Sequence, residues 1–295
     1  MMFTKFYIAP FLKKHSFNGC CSFLLSAAVC LTLQTCTRTA SDESMSITTV
    51  NVADSVVDND GIKIVVDNTF AYPHSFSDRQ LDTIKMQQLL CKTILGADMR
   101  HRGIHKMLRE ITTNEIDNYR PASRQKNKNA AISGRYEIRR SAKPLFYKAG
   151  ILCFQATETT ALNAKTIRQS NEYFNFSLAQ MQVILLSDLF EPDNMEEISD
   201  LLKAKLLAAN DCSSSKQLVQ KGFFNLSTLR PSENFELTAT GIRFHYAPCE
   251  IACFSVGAVS INLETASIVP YLKKSHITKI LTEELWTSYQ SISTT

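Results

Sequence analysis

The alternation of apolar and polar positions is clearest over residues 234–272. Phe235 and Leu237 lead into Thr240-Gly241, after which Ile242, Phe244 and Tyr246 recur at every second residue. That pattern predicts a strand, a glycine-containing turn and a second strand with one apolar face. Pro248 and Gly257 punctuate the next segment, and Val259, Ile261 and Leu263 form a third alternating run.

Upstream, Ile62, Ile64 and Val66 predict a strand, preceded by another over residues 47–52. Ser77 and Gln80 have the spacing of a capping box, and Leu81, Ile84, Cys91 and Leu95 fall on one helical face before Gly96. Ile104, Met107, Leu108 and Ile111 predict a second helix. Residues 117–134, with Arg120, Arg124, Lys126 and Lys128, read as a solvated polar connection. Strands resume over 135–139 and 144–157, broken by Gly150, and continue through Tyr173, Phe174 and Phe176 to residues 183–186. Asp193 and Glu196 have capping spacing at the start of a helix with Ile198, Leu201, Leu202 and Leu206 as its apolar stripe. The run Cys212-Ser213-Ser214-Ser215 reads as the loop that ends it. A last helix carries Ile277, Leu281 and Leu285 on one side. The order β-α-α-β-β-β-α-β-β-β-α is not a regular alternation, and it predicts an α+β fold with largely antiparallel sheet packed with helices.

Charge changes the picture at one end only. Of 32 Lys and Arg, just Lys5, Lys13 and Lys14 precede Cys36, leaving 29 basic against 28 acidic side chains beyond it. A body so close to neutral, with no aromatics interleaved in its most basic stretch beyond Tyr119, argues against a nucleic-acid partner. Lys13-Lys14 precede an uncharged, small-residue-rich apolar run over residues 20–33. A basic segment followed by a short apolar one has the order of an export signal, and the run is shorter than the ~20 residues of a spanning helix. It ends at Leu33-Gln34-Thr35-Cys36, which resembles the bacterial lipobox, with Thr35 where Gly, Ala or Ser is usual. The resemblance implies acylation (palmitate) of Cys36, with Cys30 after Ala27-Ala28-Val29 as the alternative. The chain is then expected to be a lipid-anchored, extracytoplasmic protein of a bacterial envelope, in the periplasm or at the cell surface. Its organisation reads as a leader at 1–36, a tether and first strand at 37–60, an α+β part at 61–170 and a C-terminal domain at 171–290.

The pattern Phe235, Phe244, Tyr246, Pro248, Glu250, Ile251, Ala252 and Gly257, with Phe174-Asn175-Phe176 and Leu186-Ser187-Asp188-Leu189-Phe190 upstream, resembles the extracytoplasmic family found in the C-terminal part of the RsiV anti-sigma factor. The same domain is attached to some peptidoglycan deacetylases and occurs in stand-alone lipoproteins. Cys249 departs from the aromatic residue usual there. Ala161-Leu162-Asn163-Ala164 stands where the family often carries Gly-Gly-Ala-His. Only 19 residues precede Cys20, too few for the cytoplasmic module of an anti-sigma factor, and no unassigned stretch suits a deacetylase domain. A non-enzymatic binding or sensing module for an envelope protein or peptidoglycan fragment is the expectation. A cell-wall hydrolase or deacetylase with an unrecognised site is the alternative, and a purely structural lipoprotein a third reading.

No G-x-S-x-G elbow, phosphate loop or dinucleotide fingerprint occurs, so neither a catalytic constellation nor a cofactor is expected. Tyr246 and Glu250 flank Pro248 and are the candidate binding residues, with a core tyrosine whose hydroxyl is satisfied as the competing reading. Cys249 and Cys253 lie four residues apart, about 13 Å in a strand, which is too far for a disulfide and predicts buried unpaired thiols. His101 and His105 are separated by Gly103 and lack the H-E-x-x-H glutamate, so no metal site is expected. Asp188 reads as a turn cap.

Overall fold

A strand covered on both faces organises the body of the chain. β4 (Ile151–Leu162) buries Ile151, Leu152, Cys153 and Phe154 in succession, the continuous apolar run of a strand enclosed from two sides. The structure, a computed structural model, describes residues 44–57, 61–78, 80–99, 103–126 and 134–286. The leader, with Cys30 and Cys36, lies outside the described residues, as do His101 and Lys128.

The described strands form two sheets. The larger runs in sequence order through β1 (Met45–Val57), β2 (Lys63–Phe76), β3 (Arg135–Lys148), β4, β5 (Lys165–Ser177) and β6 (Gln182–Ile184). Every pairing is antiparallel except β2 with β3, which is parallel. The exception has its cause in the connection, because two helices, α1 (Thr83–Ile94) and α2 (Ile104–Lys126), carry the chain back to the starting edge. The smaller sheet is β7 (Phe235–Thr238), β8 (Gly241–Tyr246) and β9 (Val259–Glu264), the three alternating runs of the sequence. The fold is therefore α+β with largely antiparallel sheet. Residue 170 lies within β5, whose first half pairs with β4 alone and whose second half also meets β6.

One face of the large sheet packs Phe70, Leu152, Phe154 and Phe176 against Met86, Leu90 and Leu108 of the first two helices. Phe154 meets Phe176 edge-on at 6.1 Å, a geometry that aromatic quadrupoles favour. Ile151 faces a second core, formed by β7–β9 with α4 (Met195–Ala209) and the C-terminal helix α7 (His276–Ile280). The α4 stripe Ile198, Leu202 and Leu206 is buried there, with Leu201 partly so. Leu281 and Leu285 continue α7 inward through a π turn, and Trp286 closes the core with its indole N–H on the Thr238 carbonyl at 2.9 Å.

Several local expectations are corrected. Asp82, not Ser77, caps α1, accepting from the Lys85 amide at 3.0 Å, because the Ser77 hydroxyl is turned to the Ser44 amide. The buried face of α1 is Met86, Leu90, Cys91 and Ile94, and Ile84 is exposed. The polar stretch after Asp117 is helical as far as Lys126. β3 runs unbroken to Lys148, absorbing Pro144 at a register shift, where a missing N–H is tolerated. Asn194, not Asp193, sits at the α4 cap position, and its side chain makes no capping bond but donates to the Tyr271 carbonyl at 2.9 Å. After Cys212 a short helix α5 (Ser215–Gln220) forms that no apolar stripe foretold. α3 (Leu186–Leu189) and α6 (Thr265–Ile268) are single turns.

Candidate functional site

The candidates from sequence share one turn but not one environment. Tyr246 is 3% exposed, and its hydroxyl donates to the Arg230 carbonyl at 2.8 Å. Burial, followed by the Glu250 charge, raises its pKa above the usual phenol range. Glu250 is exposed, and its carboxylate accepts from the Ala247 amide at 2.8 Å, closing the turn around Pro248. Asp188 caps α3 through the Leu185 amide at 2.8 Å. Cys249 and Cys253 are unpaired, but the expectation of burial is corrected: Cys249 is exposed and Cys253 half-buried. Cys249 takes a positive φ of 66° after Pro248, which turns it to the surface. Iodoacetamide should therefore label Cys249 and Cys253 in the native protein and spare Cys91 and Cys153, whose thiols burial pushes up to about 12. A peptide mass map checks this.

A different cluster is built where β5 meets β7. Asn175, 2% exposed, donates to the Phe235 carbonyl and accepts from the Leu237 amide, both at 2.8 Å. Asn234 answers from the other side, accepting from the Tyr173 amide and donating to the Asn171 carbonyl at 2.9 Å each. Two asparagine side chains thus supply hydrogen bonds of the kind a continuous ladder would make. Period-two alternation sends Phe235, Leu237, Ile242, Phe244 and Tyr246 into the core, which leaves Glu236, Arg243, His245 and Ser260 on the opposite face. Glu236 and Arg243 are register partners, with Nη1 and Oε1 2.5 Å apart. The His245 ring stacks on Tyr173 at 3.8 Å and 9°. Its Nδ1 lies 2.9 Å from the Ser260 hydroxyl, and its Nε2 is 3.9 Å from Glu236.

Burial sets the protonation here. It raises the Glu236 carboxyl, with Arg243 pulling the other way. It lowers His245 to about 4, aided by the Arg243 charge, so the ring is neutral at pH 7. Nδ1 shares a hydrogen bond with the Ser260 hydroxyl whose direction follows the imidazole tautomer, and Nε2 is buried with no hydrogen-bond partner among the described residues. Serine, histidine and glutamate thus form a row. A base held near 4 is nevertheless poorly matched to deprotonating a hydroxyl at neutral pH, and the carboxylate is taken by Arg243.

The segment holding most of these side chains has a known counterpart. Residues 187–266 match DUF3298, described as "Protein of unknown function (DUF3298)". Among solved structures, the chain is similar to a DUF3298 family member from Bacteroides fragilis NCTC 9343, with 20% identity, TM-score 0.69, and 82% of this chain and 98% of that one covered. It is also similar to a DUF3298 family protein from Pseudomonas aeruginosa PAO1, with 14% identity, TM-score 0.50, and 79% and 96% covered. At these identities the likeness is one of fold. No curated protein matches the chain.

Glu236, Arg243, His245 and Ser260 lie inside the DUF3298 segment, whereas Tyr173 and Asn175 precede it. The sequence pattern does not announce this pairing, because Tyr173 lies in β5 and His245 in β8, with β6, α3 to α5 and β7 between them along the chain. The available signal is the polar half of the alternation, which reads as an ordinary solvated face. Among the described residues, no group of three His, Cys, Asp or Glu is placed to hold a metal ion.

His245 also makes stability depend on pH. Its folded value of about 4 lies below the 6.5 of the free side chain. Its contribution is complete above 6.5. It is lost as pH falls through 4, because only the unfolded chain takes up the proton in between. Glu236, raised by burial, works in the opposite sense and is present in both proteins compared. Relative to His245→Phe, the native protein should lose about 2–3 kcal/mol between pH 7 and 4. Urea midpoints at the two pH values measure it, and parallel pH profiles would contradict the assignment.

Proposed function

We propose that the chain is a lipid-anchored envelope protein whose body binds or senses an envelope protein or cell-wall fragment without catalysing a reaction. The observation that carries this reading is the loop between β8 and β9. Ile251 and Ala252 are buried, and the loop is tied to residues 222–224 by bonds from the Phe224 amide to Ile251 and from the Cys253 amide to Gly222, at 2.9 and 2.8 Å. From this fixed base Phe254 stands 79% exposed, with Val256 at 39% and Val219 of α5 at 57% also turned to solvent. A large aromatic displayed on a pinned loop loses little conformational freedom on binding, which is the character of an interface anchor. The leader supports the anchoring half of the reading. No helix among the described residues is long and apolar enough to cross a membrane.

The Ser260–His245–Glu236 row is the one observation that favours the hydrolase alternative. Purified protein incubated with peptidoglycan should release neither sugars nor acetate. Release that disappears in Ser260→Ala or His245→Ala would overturn the non-enzymatic reading. A mass spectrum of the native N-terminus should show an acylated cysteine at Cys36, and Cys36→Ala should free the protein from membranes. An unmodified, membrane-released N-terminus would overturn the anchor.

A further inference from the structure

β1 is an outer strand of the six-stranded sheet, and among the described residues no strand pairs with its outer edge. Edges are ordinarily blunted by lysine, proline, bulges or shortness. β1 is 13 residues long (MSITTVNVADSVV), contains neither Lys, Arg nor Pro, and has Asp54 as its one charge. Its register shift falls at Ser46/Ile47, near one end. Two observations identify the backbone groups that face outward. The Ser55 amide bonds at 2.7 Å to the neighbouring Asp54 carboxylate rather than across to β2. Ile47 pairs with Pro73, which has no N–H to give and whose carbonyl is taken by Gln87 at 2.8 Å. Both put the odd-numbered positions in non-hydrogen-bonded pairs, so Thr49, Asn51 and Ala53 aim their N–H and C=O groups away from the sheet.

Helix α2 packs across the sheet, meeting Asn68 of β2 through Thr112 and Glu115, and its outward residues lie near β1. Between them lies a groove of about 370 Å³, lined by Asn51, Ala53 and Asp54 on the strand and by His105, Arg109 and Thr113 on the helix. Arg109 and His105 are exposed, and Arg109 has no carboxylate partner among the described residues. A row of free backbone groups flanked by a helix is the arrangement that takes an extended chain by strand addition. The backbone supplies affinity independent of sequence, and the helix reads the side chains.

We propose that the β1 edge and α2 form a strand-addition groove for an extended acidic peptide, a carboxylate of which pairs with Arg109. This deepens the binding-module reading, on which it rests, and names a site separate from the Phe254 loop. The occupant is an acidic peptide rather than a second copy of β1 because the unpaired charge in the groove is cationic, and β1 offers only Asp54, already engaged with the Ser55 amide.

The test uses the full-length chain in detergent and a fluorescein-labelled peptide that alternates valine with threonine and carries two aspartates. Fluorescence anisotropy should show binding, and the same peptide with lysines should not bind. Ala53→Pro removes one outward N–H that β2 does not use, so the fold is retained. Arg109→Glu reverses the groove's charge. Each should weaken binding about tenfold or more while leaving the melting temperature unchanged. Hydrogen exchange should show the Thr49, Asn51 and Ala53 amides newly protected by the peptide. Failure of the native chain to bind the probe, binding unaffected by both variants, or protection of β1 by self-association alone would each overturn the groove. A capture of envelope material that survives Ala53→Pro would leave the binding-module reading standing without it.

Discussion

Gly241→Ala is expected to lower stability by more than about 4 kcal/mol, or to prevent the C-terminal core from forming. Gly241 opens β8 at φ 153°, and a Cβ there would stand 2.1 Å from the Leu263 carbonyl oxygen and 3.0 Å from the Glu264 Cα. Both are backbone atoms of β9, held by the register Gly241↔Glu264 and by the bond from the Thr265 amide to the Thr240 carbonyl at 2.9 Å. Neither strand can yield without breaking the sheet that buries Ile242, Phe244, Ile261 and Leu263. Gly257→Ala is the control: φ is 85° but the space is open, so only the left-handed strain of about 1–2 kcal/mol applies. Urea unfolding of both variants separates the two causes. A Gly241→Ala loss no larger than that of Gly257→Ala would contradict the close approach of β9.

Asn175→Leu should cost about 3–5 kcal/mol, from two buried backbone groups left unpaired at about 1–3 kcal/mol each together with the ordering of the β5–β7 seam. The replacement is similar in size, so little of the loss comes from a cavity. What disappears is the bond to the Phe235 carbonyl and the one from the Leu237 amide. The Leu237 amide should then lose hydrogen-exchange protection while amides in β2 and β3 keep theirs. A loss below about 1 kcal/mol, with Leu237 still protected, would show that the seam is held by packing alone.

These variants mark the limits of legibility in the sequence. The three strands of the smaller sheet are readable because Ile242, Phe244 and Tyr246 alternate without interruption and a glycine opens β8. The α4 stripe is readable for the same reason at helical period. Asn175 and Asn234 give no such signal. An asparagine that substitutes for a ladder bond looks the same in sequence as one in a turn, and its partners lie about sixty residues away. The parallel β2–β3 pair is hidden because alternation reports which face of a strand is buried, never which neighbour it bonds. Tyr246 is balanced in sequence between recognition and core, and the Arg230 carbonyl that takes its hydroxyl belongs to a segment with no periodic signature. Trp286 carries no pattern of its own, although it is fully buried, because a lone aromatic near the C-terminus completes one only once α7 is folded against β7.

The reading of the body as a binding module is tested most directly by photo-crosslinking from position 254. Benzoylphenylalanine placed there should give one reproducible adduct with an envelope component, absent when the same probe replaces Ile167, an exposed residue of β5. No adduct from position 254, together with turnover of peptidoglycan by the same preparation, would contradict it.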